Sequence, residues 1–197
     1  MTDCFALLEE FRRPWLDAAD IRQKFLTRST DVHPDRFHQA SAEDRLAAEA
    51  RYSELNRAHE TLASSRNRLR HLIELERGVA PTDIQQTPPE LMELFFACGK
   101  LCQEVDAFLS RRDQADSPLL KVAMFQEGMD WSDQVQELND RVTARRAALE
   151  GELQRLNLRW DGERERVLDE LEGIYRNLSY YERWQGQLQA RFVRLAT

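Results

Sequence analysis

From Trp131 onward the apolar positions step along the chain by threes, fours and sevens: Val135, Leu138, Val142, Leu149, Leu153 and Leu156. That stripe is heptad-like and predicts one long helix, beginning near Pro118. Residues 159 to 163, "RWDGE", break the rhythm. It resumes with Val167, Leu171, Ile174, Leu178, Tyr181, Leu188, Phe192 and Leu195 in a second long helix. Two such stripes joined by a short turn fold back as an antiparallel pair. A third helix, from about Glu90 to Ser110, packs across them and completes a three-helix bundle.

The first part of the chain has the same period in shorter pieces. "DCFALLEE" (residues 3 to 10) reads as a short helix burying Phe5, Leu7 and Leu8. Asp17 is a suitable N-cap for a second helix, with Asp20 placed for the helix dipole and Ile21, Phe25 and Val32 at helical spacing. Pro34 ends it. "SAED" (residues 41 to 44) opens a third helix as a capping-box variant, carrying Leu46, Ala50, Leu55, Ala58 and Leu62 toward a core. "SSRNRLRHLIELERG" is a fourth, amphipathic helix with Gly78 as its C-cap. Proline-rich, aperiodic residues 79 to 89 then form the boundary. No stretch alternates as a strand does. The expectation is an all-α chain in two parts, residues 1–78 and 90–197, with a linker at 79–89.

Composition narrows the function more than the fold. Charged residues make up 32% of the 197, and the net charge is −7. Residues 1–78 carry 13 basic and 14 acidic side chains, and the remainder 15 and 21, so no basic footprint for nucleic acid exists. No apolar run approaches a membrane span of roughly 18 residues. The "MTDCFALLEEF" terminus lacks the basic and apolar segments of a secretory leader, and a cytoplasmic address is expected. The cysteines are Cys4, Cys98 and Cys102. Cys98 and Cys102 share a helix face, but a metal would need two further ligands nearby, and small buried thiols are the better reading. No Gly-rich phosphate loop or nucleophile elbow is present, and no cofactor is implied.

The remaining chemistry lies in "DVHPDRF" (residues 31 to 37), which sets an imidazole, a rigid ring and a carboxylate side by side between two helices. His33 and Asp35 could serve as base and orienter only with a third group, and no candidate nucleophile accompanies them. A helix cap or a protein contact remains.

The order of elements around this loop resembles the J domain of the DnaJ family: a short helix, a helix ending in His33–Pro34–Asp35, a long helix, then a basic fourth helix. "HPDRF", "LNRAHETL", Arg68 and "HLIELERG" carry the likeness. With a linker and a three-helix bundle after it, the whole chain resembles the HscB family of iron–sulfur cluster co-chaperones. The resemblance implies a protein without catalytic activity of its own. His33, Pro34 and Asp35, with Arg22, Lys24, Arg28 and Arg36, would dock on a DnaK- or HscA-type ATPase chaperone and stimulate hydrolysis. Pro34 would keep the loop in one shape and Asp35 would accept from an arginine on the partner. The sequence departs from the family pattern at Arg28, where an apolar residue is usual, at Val32 in place of a tyrosine, and at acidic Asp31. The helix leading into the loop is therefore less positive, which predicts weaker or more selective docking. An adaptor that keeps the J fold without ATPase stimulation is the alternative.

In the bundle, the resemblance assigns "PPELMELFFACGKLCQE" and part of the last helix to a client, an iron–sulfur scaffold protein. Leu91, Met92, Phe95, Phe96 and Tyr180 are the candidate contacts. Phe96, Gly99 and Gln103 stand where the family has carboxylates, which leaves room for a different client. Adjacent Phe95 and Phe96 cannot both face one core, so one of them packs elsewhere or is exposed.

Overall fold

The computed structural model describes residues 2–81, 87–115 and 117–196, with side chains at all of these but 118 and 121. Residues 82–86 of the expected linker lie outside the described residues. Among the described residues every regular element is helical. They are α1 (Cys4–Leu7), α2 (Ala18–Asp31), a 3₁₀ turn (Pro34–Phe37), α3 (Ala42–Ala63), α4 (Ser65–Arg77), a second 3₁₀ turn (Pro89–Leu91), α5 (Met92–Asp113), α6 (Pro118–Ala123), α7 (Phe125–Arg159) and α8 (Arg164–Ala196).

The ends of the short helices are set by local chemistry. Asp3 accepts from the amides of Phe5 and Ala6 at the start of α1. Asp17 does the same for Ala19 and Asp20 at the start of α2, and Ser41 accepts from Asp44 N–H at the start of α3. Gly78, at φ 73°, closes α4 with its N–H on the Glu74 carbonyl. Side-chain oxygens thus satisfy amides that have no partner within the helix, and glycine takes the left-handed position at least cost.

The chain divides into two compact units, and the division is not sequential. The first comprises Met1–Thr82 with Glu150–Tyr175, and the second Asp83–Leu149 with Arg176–Thr197. The turn end of the α7–α8 hairpin therefore belongs with α1–α4. In the first unit Phe5, Leu8, Ile21, Leu62, Leu69, Leu72 and Ile73 are buried, as are Trp160, Val167, Leu171 and Tyr175 from the hairpin. Arg77 of α4 pairs with Asp169 and Glu172 of α8.

Arg68 ties this unit together from inside. It is 3% exposed and donates to the carbonyls of Pro14 (3.0 Å) and Leu62 (2.7 Å) and to Ser65 Oγ (3.2 Å). Ser65 in turn donates to Glu150. Burial lowers the Arg68 pKa and the Glu150 charge opposes that shift. His71 holds α1: its Nε2 accepts the Cys4 amide at 3.0 Å, and its ring stacks on Phe5.

The second unit is built on Leu94, Cys98, Leu101, Val105 and Phe108 of α5, Val135, Leu138 and Val142 of α7, and Leu178, Tyr181, Trp184 and Leu188 of α8. All three cysteines of the chain are buried free thiols, and burial pushes Cys98 up to about 11.

Several expected positions differ. Leu46 is 67% exposed and Ala50 is exposed, whereas Ala48 is the buried residue at that end of α3. At 22 residues against 14, α3 outruns α2, so part of its length has no helix of equal reach to cover it. The helix expected from Pro118 is interrupted at Met124. Leu119, Leu120 and Val122 are exposed there. Trp131 and Phe192, at the outer ends of the two stripes, are only half-buried.

Candidate functional site

The His33–Pro34–Asp35 segment leaves α2 and enters the first 3₁₀ turn, where Pro34 takes the initial position that needs no N–H donor. His33 is extended (φ −61°, ψ 129°) and its Nδ1 accepts the Asp35 amide at 3.3 Å. The Arg36 amide closes the turn on the His33 carbonyl at 3.0 Å. The His33 ring also meets Tyr52 of α3 edge-on, with centroids 5.1 Å apart, which fixes the loop against the long helix. Arg36 reaches back to the Thr30 carbonyl (3.2 Å) and Asp31 (3.3 Å), capping the end of α2. The Asp35 carboxylate is left 90% exposed, 3.6 Å from His33 Nδ1. A rigid turn thus presents one carboxylate to solvent.

The four basic residues expected beside the loop do not form one surface. Lys24 donates to the Glu9 carbonyl (3.0 Å) and pairs with Glu10 (2.8 Å). Arg28 donates to the Leu7 carbonyl (3.2 Å) and pairs with Glu9. Both are turned toward the end of α1. Arg22 is exposed and lies about 200° around the helix from Lys24. Arg36 is engaged at the loop itself. Glu9, Glu10 and Tyr52 carry no local motif, and their part in the site arises only from long-range packing.

In the second unit the expected client residues separate by burial. Leu91 is 2% exposed and belongs to the interior. Met92 is half-buried, while Phe95 and Phe96 are 41% and 62% exposed, with rings edge-on at 5.6 Å. Tyr180 is half-buried, its hydroxyl accepting from Thr87 at 3.2 Å and its ring tilted against Trp184. Of the expected client residues, Phe95 and Phe96 rather than Leu91 are turned outward, and Leu119, Val122 and Phe125 of the same unit are exposed as well.

Among the described residues no group of three or more His, Cys, Asp or Glu side chains is arranged to hold a metal ion, and no helix is long and apolar enough to cross a membrane.

His33, Pro34 and Asp35 thus lie at the bend of a helical hairpin formed by α2 and α3. No family model matches the sequence. Among solved structures, the chain is similar to the chaperone HscB from Vibrio cholerae, with a TM-score of 0.60, 18% identity and 96% of each chain covered. It is also similar to the human co-chaperone protein HscB, with a TM-score of 0.63, 19% identity, 96% of this chain covered and 82% of that chain. At that identity the likeness defines an HscB-like fold over nearly the whole length.

Proposed function

We propose that this protein is a co-chaperone of HscB type, acting in the cytoplasm without catalysis of its own. It docks on an ATP-bound DnaK-type chaperone through His33, Pro34 and Asp35 and stimulates ATP hydrolysis. The observation that carries the reading is the Asp35 carboxylate, 90% exposed on a turn made rigid by Pro34, the hydrogen bond from the Asp35 N–H to His33 Nδ1 and the Tyr52 contact. A pre-shaped loop loses little entropy on docking, and a free carboxylate offers a charge-assisted bond to an arginine on the partner. The second unit carries the client, and the exposed Phe95 and Phe96 favour an apolar protein surface, with an iron–sulfur scaffold protein as the first candidate.

One observation favours the alternative, an adaptor without ATPase stimulation. Lys24 and Arg28 are already paired with Glu10 and Glu9, in the segment that follows α1, so the positive field expected of α2 is largely neutralised.

Single-turnover ATP hydrolysis by the organism's own DnaK-type chaperones decides between them. Stimulation by this protein that disappears with Asp35→Asn establishes the co-chaperone. Absence of stimulation across all paralogues establishes the adaptor.

A further inference from the structure

Lys24 and Arg28 stand one turn apart on α2, and each holds two oxygens from the segment that leaves α1. Lys24 Nζ takes the Glu9 carbonyl and the Glu10 carboxylate, and Arg28 takes the Leu7 carbonyl and the Glu9 carboxylate. The segment is itself fixed, since the Glu10 amide bonds the Phe5 carbonyl at 2.8 Å. Glu9 has φ 51°, the single positive φ among the described non-glycine residues. Glycine takes the left-handed region at no steric cost, whereas glutamate does not. A carboxylate-bearing residue therefore occupies a backbone position that favours glycine, and its carboxylate is spent on Arg28. The arrangement borders an open groove of about 660 Å³ between α1, α2 and α3, which Asp31, Arg51 and Glu54 also line.

We propose that Glu9 and Glu10 are specificity determinants of docking: they are internal counter-ligands that a partner's carboxylates must displace from Lys24 and Arg28. The inference rests on the docking reading above. Its partner is a protein surface bearing two carboxylates about 6 Å apart, matched to cations at i and i+4. A singly charged or neutral surface cannot replace both internal pairs, and docks through the Asp35 loop alone. The exchange is a swap of like contacts, so it favours a strongly acidic partner and discriminates against others. Charge at positions 9 and 10 then tunes the choice of chaperone without touching the loop.

The test is titration of the full chain, fluorescently labelled, with each DnaK-type chaperone in the presence of ATP, at low and at moderate salt. Glu9→Gln/Glu10→Gln is compared with wild type, with Asp35→Asn run in parallel and circular dichroism checking the fold. The expected result is about tenfold tighter binding by the double variant at low salt, shrinking as salt rises. Adding Lys24→Gln and Arg28→Gln should erase the gain. Glu9→Gly, which removes the carboxylate while relieving the backbone, should tighten binding in the same direction, and guards against misfolding of the double variant.

Binding seen only in the variant would also support the inference. Unchanged or weaker binding by a folded variant overturns it, even if Asp35 dependence is intact. Wild-type binding indifferent to Asp35→Asn overturns the docking reading instead. No binding by either protein overturns both.

Discussion

Arg68→Met is the substitution that most directly tests how the first unit is held together. Methionine keeps most of the stem volume and removes the guanidinium, leaving the Pro14 and Leu62 carbonyls without their donor inside the core. Two opposing effects follow. Removing a buried cation relieves its desolvation cost, and replacing whole buried ion pairs by apolar groups is often neutral for that reason. Here the partners include backbone carbonyls, which no side-chain substitution can remove. Each orphaned buried acceptor costs about 1–3 kcal/mol, and this loss outweighs the relief because Glu150 is half-exposed and stays solvated. A net loss of about 3 kcal/mol is expected, which for a chain of this size lowers Tm by about 6–12 °C. Arg68→Lys keeps the charge but not the fork, reaches fewer of the three acceptors, and should lose at least half as much. Urea unfolding followed by circular dichroism, with wild-type and variant slopes compared, measures both. A Met variant less than about 1 kcal/mol below wild type would mean that water or a shifted chain satisfies those carbonyls, and the reasoning would fail.

Other outcomes follow from the same physics. Burial lowers the His71 pKa below its unfolded value of 6.5, so the unfolded chain binds the proton first and stability is lost as pH falls below 6.5. Its slope cannot exceed about 1.4 kcal/mol per pH unit, and urea midpoints from pH 7.5 to 5.5 should show a fall that His71→Gln removes. Gly78→Ala, at φ 73° with open space around it, should cost about 1 kcal/mol from the backbone alone, read by the same unfolding curves. Gly128→Ala should instead gain about 0.5–1 kcal/mol, because its new methyl meets Phe108 at an ordinary 3.5 Å while the helix gains alanine's propensity. The thiols of Cys4, Cys98 and Cys102 are buried and should react with an aromatic disulfide reagent only at the rate of unfolding, so fast labelling of the native chain would contradict the packing.

The helices, their caps and the two long stripes were legible in the amino-acid order because they depend on neighbours within about four residues. Asp17, Ser41 and Gly78 act at that range, and so does the turn at 160–163. The bend at His33–Pro34–Asp35 was legible for the same reason, since proline fixes its own φ and restricts the residue before it. What a side chain faces is set by segments far away, and only the tertiary structure decided it. Cys4 meets His71 across 67 positions, Arg68 meets Pro14 across 54, and Ser65 meets Glu150 across 85. Periodicity ranks Leu46 with Leu55, yet one is exposed and the other buried, because burial needs an opposing surface as well as an apolar side chain. Arg22, Lys24 and Arg28 read in sequence as one basic run. The fold sends Lys24 and Arg28 into the end of α1 and leaves Arg22 in water, because Coulomb attraction acts through space and the chain order carries no record of which carboxylate arrives there.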